Sequence, residues 1–468
     1  MSNGEINETV SNRGKQVDIE TPGSGQKRKL IISLTWPALA ENVLSSLISM
    51  VDMMMVGGLG PYAIAAVGLI TQPKFILIAA FMAMNAGTTT LVAQNKGANN
   101  LDGANSALNQ ALILAIGMTV VIGSAMLFLA EPLVRLIAGD GLSEHIIAEA
   151  LKYYKIQIYG LPTVSLTFTM NAALRGAGNT RITFYNNMVA NLVNVVLNYC
   201  LINGRFGFPR MEVAGASLAT VIGQFVGFCM VLYTVIKGKQ YVRLFIKRLV
   251  QIEWQMIKRI MNIGIPSLAE QLIMRIGAIW FTTIVTSLGD MAYASHMVAM
   301  NIQMFSFSTG MAFGTAATTL VGQCIGRKRI DLAKVYVRMT QYLGLIVSVT
   351  IALVMFFFGQ AITRLYSDDM GIIILAADML KIVAIVNPIV NARFTYVSAL
   401  RGAGDARFMA VISFVGMIVV RPLIGILLVN VMDMGLTGVW IALSSDFVIS
   451  FFITIGRYKR GKWTTLEV

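Results

Sequence analysis

The sequence predicts an all-α membrane protein of twelve transmembrane helices, arranged as two parallel six-helix repeats. Three observations predict it. Of 468 residues, 56% are hydrophobic and 13% charged, with a mean hydropathy of +0.70, which is more apolar than ordinary globular usage. Twelve apolar stretches are each long enough to cross a ~30 Å hydrocarbon core as a helix. Finally, the chain repeats itself. Pro37-Ala-Leu-Ala-Glu41 falls on Pro266-Ser-Leu-Ala-Glu270 and, at the same offset, Thr89-Thr-Leu-Val92 falls on Thr318-Thr-Leu-Val321, Gln94 on Gln323 and Gly97 on Gly326. After a short slip, Ala173-Leu-Arg-Gly-Ala-Gly178 falls on Ala399-Leu-Arg-Gly-Ala-Gly404. Two homologous halves are the build expected of a transporter whose site lies between repeats.

The polar, Gly/Ser-rich residues 1–30 lack an apolar leader core and read as a disordered tail. The N-lobe, 31–236, holds spans 33–57, 64–94, 106–130, 148–174, 183–202 and 214–236. A basic linker, 237–260, follows, and its Trp254-Gln-Met-Ile-Lys-Arg-Ile260 suits a short amphipathic surface helix. The C-lobe, 261–457, holds spans 262–286, 291–323, 334–358, 373–400, 408–430 and 435–457, before a short tail, 458–468.

Six spans per half is an even number, so both halves enter the membrane in the same direction. Arg13, Lys15, Lys27, Arg28 and Lys29, the linker cations Lys237, Lys239, Arg243, Lys247, Arg248, Lys258 and Arg259, Arg327-Lys-Arg329 and the cations after 457 all fall on one side. The opposite loops carry little beyond Arg135, Arg205, Arg210 and Arg364, so both termini are expected in the cytoplasm. The net charge of +14 is thereby explained by topology and lipid headgroups, without nucleic acid. Cys200, Cys229 and Cys324 have no metal-ligand spacing, and with two histidines, no HExxH and no phosphate loop the chain offers no enzyme chemistry and calls for no cofactor.

Ionisable residues inside apolar spans are more informative, because each costs about 2.5–3.5 kcal/mol at the bilayer centre and normally marks a pathway. The first span holds Glu41 and Asp52, the second Lys74, the seventh Glu270 and Arg275, the tenth Arg393, the eleventh Arg421 and the twelfth Asp446. Glu41 and Glu270 are repeat equivalents, whereas Asp52 faces Phe281 across the repeat. In the fifth span Asn187, Asn191, Asn194 and Asn198 share one helical face. That stripe reads either as interhelical glue, at ~0.6–2 kcal/mol per contact, or as the wall of a polar cavity.

These residues resemble the multidrug and toxic compound extrusion (MATE) transporters of prokaryotic type over about residues 30–457. Asn191-Leu-Val-Asn194-Val-Val-Leu-Asn198-Tyr199, Asn203-Gly-Arg-Phe-Gly-Phe-Pro209 and Val213-Ala-Gly-Ala-Ser-Leu-Ala-Thr220 are similar to the family's fifth helix, outer loop and sixth helix. Val51-Asp52-Met-Met-Met-Val-Gly57, Leu174-Arg-Gly-Ala-Gly-Asn-Thr180, Leu400-Arg-Gly-Ala-Gly-Asp405, Pro266-Ser-Leu-Ala-Glu270 and Ala294-Ser-His296 resemble further family elements. The resemblance implies two lobes around a V-shaped cavity and cation-coupled export of amphipathic cations by a monomer in the bacterial inner membrane. It places the N-lobe cation site at Asp52, Asn194 and Asn198, with Asn171 and Thr220 beside it. Glu270 falls on the C-lobe acid. Two departures stand out: the family's alternative acid in the fifth helix is Asn198 here, and a tenth-helix acid is replaced around Val390-Asn391.

A carboxylate kept from bulk water can exchange a proton near neutral pH, or trade that proton for a metal ion. Asp52 is accordingly the expected coupling acid, for a proton in preference to sodium, because the asparagine oxygens add no further negative charge. Sodium at Asp52 is the alternative. Glu270, Glu41, Arg275, Arg393 and Trp280 are the candidate C-lobe and substrate residues, with Arg275 a possible neutraliser of Glu270, and Lys74 and Arg393 expected either to pair with these acids or to snorkel. Trp280, Phe281, Phe305, Phe307, Phe394 and Tyr396 would suit flat cations through cation–π contact, or serve as ordinary apolar filler. His296 reads as packed and hydrogen-bonded rather than a proton relay. A major-facilitator exporter, a lipid-linked oligosaccharide flippase of the same superfamily and an ion channel are the competing readings. The first lacks its basic loop signature after the second span, and the last lacks a filter or charged ring.

Overall fold

The computed structural model describes residues 23–139, 142–237, 240–245 and 251–466, apart from the side chain of Ile76. Arg13, Lys15, Lys239, Lys247, Arg248 and most of the polar tail lie outside the described residues. Thirteen helices make up the described chain. They are α1 (Ser24–Gly57), α2 (Pro61–Gly97), α3 (Leu101–Ala138), α4 (Glu144–Tyr159), α5 (Leu161–Gly176), α6 (Thr180–Asn203), α7 (Glu212–Ile236), α8 (Trp254–Thr286), α9 (Asp290–Gly326), α10 (Ile330–Thr363), α11 (Met370–Gly402), α12 (Ala406–Val431) and α13 (Gly435–Lys459). The fourth expected span is thus two helices. Pro162 has no N–H with which to continue the ladder and Gly160 accepts the break, so α4 and α5 meet there. Read as one broken span, they restore the count of twelve.

Nine of the described helices are long and apolar enough to cross a membrane by themselves. The exceptions have physical causes. α4 and α5 are 16 residues each, α6 carries the asparagines, and α9 is rich in Ser, Thr, Asn and Gln. Such helices fit a membrane when their polar faces are covered by protein.

Two compact units divide the chain. Unit 1 comprises residues up to Pro37, Leu44–Phe81 and Asn99–Ile257; unit 2 comprises Ala38–Val43, Met82–Ala98 and Lys258–Val468. α1 and α2 therefore each contribute to both. In unit 1, Leu77 and Phe81 of α2, Tyr153 and Tyr154 of α4, Ile202 of α6 and Val213 of α7 share one buried apolar cluster. In unit 2, Phe281, Leu380, Val383, Val390, Trp440 and Phe447 join α8, α11 and α13.

The linker is tied down by polar side chains at the start of α3. Asn105 accepts from the Arg243 N–H at 2.8 Å, Gln110 donates to the Gln251 carbonyl at 2.7 Å, and Ser106 donates to Glu253 at 2.7 Å. Trp254–Ile260 does not form a separate surface helix. It opens α8, with Ile257 and Ile260 buried. Residues 24–30 likewise begin α1 rather than extend a tail.

Within unit 2, the end of α2 crosses the end of α9 at glycine. A side chain at Gly97 would run into the Gln323 backbone, and one at Gly326 into the Gln94 backbone. Only hydrogen allows the two main chains to approach so closely.

Candidate cation and substrate sites

Unit 1 gathers four of the five expected cation-site residues. α6 and α7 pack through glycine: a Cβ at Gly223 would stand 2.6 Å from the Ala190 carbonyl oxygen and 3.0 Å from Asn194 Cβ. This close packing brings Thr220 of α7 against Asn194 of α6. From the other side α1 presents Asp52, whose Oδ1 accepts from Asn198 Nδ2 at 2.7 Å. With its amide nitrogen turned to Asp52, Asn194 donates to Oδ1 at 3.0 Å and Oδ2 at 3.1 Å, while its oxygen accepts from the Thr220 N–H at 3.1 Å. Asn194 and Asn198 are buried and Asp52 is half-buried.

Asn171 belongs to a neighbouring contact. Buried on α5, it donates to Asn187 at 3.5 Å and makes no hydrogen bond to Asp52. The asparagine stripe is therefore split, with Asn194 and Asn198 serving the acid and Asn187 serving Asn171. Two carbonyl oxygens, Asn198 Oδ1 and Asn171 Oδ1, are buried without a hydrogen-bond partner. Lys74 of α2 is close enough for its charge to act on Asp52, yet makes no ion-pair contact with it.

Unit 2 treats its acids differently. Glu270 of α8, 6% exposed, is closed by Arg401 Nη2 at 2.7 and 3.0 Å. Its neutraliser is the arginine of the Leu400-Arg-Gly element and not Arg275, which is half-buried further along α8. Asp446 of α13 is bound by Arg421 of α12 at 2.6 Å, and its other oxygen accepts from Ser450 at 3.0 Å. π-turns at Val415–Val420 and Leu427–Val431 flank the Arg421 turn. Within the first of them Gly416 leaves the space Asp446 Oδ1 occupies. The sequence shows both charges but not their pairing, because nothing in either helix taken alone reveals which faces meet. Of the two expectations for Arg393, pairing is not met among the described residues: it stands over the Phe447 ring at 5.9 Å and pairs with no described carboxylate.

Glu41, on the part of α1 that belongs to unit 2, is half-buried. Of the expected aromatic lining, Trp280 and Phe305 are exposed, whereas Phe281, Phe307 and Phe394 pack into or against the apolar cluster of unit 2. His296 is sandwiched edge-on between Phe281 and Trp440, and its Nδ1 has no hydrogen-bond partner, so packing holds it in place of the expected hydrogen bond. Asn186, buried at 4% exposure beside the stripe, was not singled out from the sequence, since it sits one position off the recurring face.

Residues 37–200 and 266–427 match the MatE family. A relative from Thermotoga maritima, described as probable multidrug resistance protein NorM, is 30% identical over 436 residues, covering 93% of each chain. The uncharacterized transporter YisQ of Bacillus subtilis is 27% identical across 92% of this chain and 94% of its own. The solved outward-facing structure of a multidrug resistance MATE transporter of the MOP superfamily superposes with a TM-score of 0.87 at 20% identity, covering 94% of this chain and 97% of that one.

Proposed function

The chain belongs to the MatE family of membrane transporters and is not an enzyme, and on that footing we propose that it is a multidrug efflux antiporter of the bacterial inner membrane, exporting amphipathic organic cations against a flow of protons through Asp52. One observation carries the coupling residue. Glu270 and Asp446 are neutralised by arginines in direct contact, whereas Asp52 is held by neutral amides and, among the described residues, has no ion-pair contact, with Lys74 acting only from a distance. A buried charge without a partner ion is costly, and a proton or a cation is what relieves it.

The geometry favours the proton. Asn198 turns an amide N–H to Asp52 Oδ1, which suits a bare carboxylate; sodium would require several oxygens turned inward instead. When Asp52 takes a proton it becomes a donor, and Asn198 holds an unpartnered Oδ1 that can accept it once the amide turns over. Proton uptake thereby rewrites the contact between α1 and α6, and with it the packing of α1 in unit 1.

Inverted vesicles loaded under an imposed pH gradient without sodium test this reading. The wild type should accumulate a fluorescent cation, and Asp52→Asn should insert at normal levels and accumulate none. Transport that needs sodium at constant pH, or that persists in Asp52→Asn, would refute it.

A further inference from the structure

Unit 2 holds a charge imbalance of the opposite sign. On α11, Arg393 lies shortly after Pro388, on the side that faces α13, where Tyr396 meets Phe451 at 6.2 Å and the Arg393 guanidinium lies 5.9 Å from the centre of the Phe447 ring. Arg421, arriving from α12, lies 5.6 Å from the centre of that same ring. One phenyl ring is thus flanked by two guanidiniums, and only one of them has a counter-ion.

Asp446, Glu270, Arg421 and Arg401 are the charges that act on Arg393. Both carboxylates are already taken. Asp446 is closed by Arg421 at 2.6 Å and by Ser450 at 3.0 Å, and Glu270 by Arg401 at 2.7 and 3.0 Å. Arg393 Nε has no hydrogen-bond partner, so its guanidinium has unused donors as well as unused charge. Arg393 is half-buried on a helix long and apolar enough to span a membrane, where a cation–π contact of about 0.5–2 kcal/mol falls short of the roughly 2.5–3.5 kcal/mol that an arginine costs near the centre of such a helix. An anion would relieve that arginine, and a planar guanidinium fork matches a carboxylate or a phosphate.

We propose that Arg393 is an oxyanion receptor, holding the carboxylate or phosphate of an amphipathic molecule whose apolar body packs on the partly exposed rings of Phe307 and Phe394. The apolar surface for that body is present. Phe307 and Phe394, both only partly buried, meet at 5.9 Å, and Phe307 meets the buried Phe447 at 5.6 Å, so an aromatic surface lies beside the guanidinium. This deepens the efflux reading by widening its cargo from cations to zwitterions and organic acids. The same chemistry would also accept the phosphate of an anionic lipid.

The test is equilibrium binding to the purified full-length protein, without any gradient, so its outcome is independent of Asp52 and of the coupling ion. The probes are 1-pyrenebutyrate, an amphipathic fluorescent acid, and its methyl ester. The acid should bind at least about tenfold more tightly than the ester, since a charge-assisted hydrogen bond is worth that factor or more. Arg393→Met should bring the two affinities together, and Arg393→Lys, which keeps the charge but loses the fork, should fall between them. The ratio of acid to ester is the readout, because a merely structural arginine would weaken both alike. Should Arg393→Met fail to fold, the reduced ratio in Arg393→Lys decides. Equal binding of acid and ester by the wild type, or an unchanged ratio in a folded variant, would overturn the proposal. Repeating the titration in nanodiscs with and without phosphatidylglycerol separates the sources: competition by that lipid assigns the site to a headgroup phosphate, and its absence to a soluble carboxylate.

Discussion

Replacing Asp446 alone by Leu should destabilise the protein more than replacing both Asp446 and Arg421. The two side chains are 4% and 5% exposed and 2.6 Å apart. At an effective dielectric of about 20 their gross attraction is about 6 kcal/mol, most of which offsets the cost of removing both ions from water. Deleting one partner keeps the desolvation cost of the other and loses the attraction, a change of about 3–5 kcal/mol. Removing both charges as Arg421→Met with Asp446→Leu gives up the attraction together with both desolvation costs and should lie within about 1–2 kcal/mol of wild type. The assay is unfolding in detergent micelles across the four members of a double-mutant cycle. A coupling energy of several kcal/mol is expected. Additive effects, or a double variant as unstable as the worse single one, would refute the account of this pair as mutually dependent. Gly416→Ala offers an independent check, since its methyl would displace Asp446 Oδ1 and should reproduce part of the single-variant loss without changing a charge.

Three further outcomes are expected. Gly223→Val should push α7 from α6, part Asn194 from Thr220, cost about 1–3 kcal/mol and lower proton-driven efflux at least tenfold, measured by vesicle uptake; full activity in the folded variant would contradict the glycine-dependent assembly of the site. Glu270→Gln, which strands Arg401 without its counter-charge, should impair transport more than Glu41→Gln, and the reverse order would count against that pairing. In a variant with Cys200, Cys229 and Cys324 replaced, Gln240→Cys should be labelled only from the cytoplasmic side of intact cells, as the positive loops require; labelling from outside would invert the topology.

The spans were legible because membrane burial demands long apolar runs, and the repeat because duplicated motifs survive at Glu41 and Glu270 or at Gln94 and Gln323. The trio of Asp52, Asn194 and Asn198 was legible through spacing on a single helix together with family resemblance, and the structure unites it. Partnerships between helices were not. Glu270 has Arg275 on its own helix, and local sequence offers that neighbour, yet the rotation of α8 against α11 delivers Arg401 instead. The same limit hid the Arg421–Asp446 pair and left Arg393 looking like an ordinary member of an ion pair. Helix breaks were partly legible: Pro162 marks one, whereas the π-turns before and after Arg421 have no comparable signature, since the widened turn at Gly416 depends on what Asp446 needs from across the gap.

The crossing of α2 and α9 bears on how such a chain arose. Gly97 and Gly326 are one position of the repeat, and Gln94 and Gln323 another, so the crossing is a single self-complementary contact made twice. Surfaces that mate with themselves are what a two-fold homodimer possesses. A half-length ancestor could therefore have assembled with its own copy through this crossing, and fusion of the two copies would only have raised their effective concentration. In that ancestor a mutation at the glycine would have struck both sides of the interface together. In the fused chain it strikes once, and each half is free to drift from its twin, as Asp52 has drifted from Phe281 at the matching position.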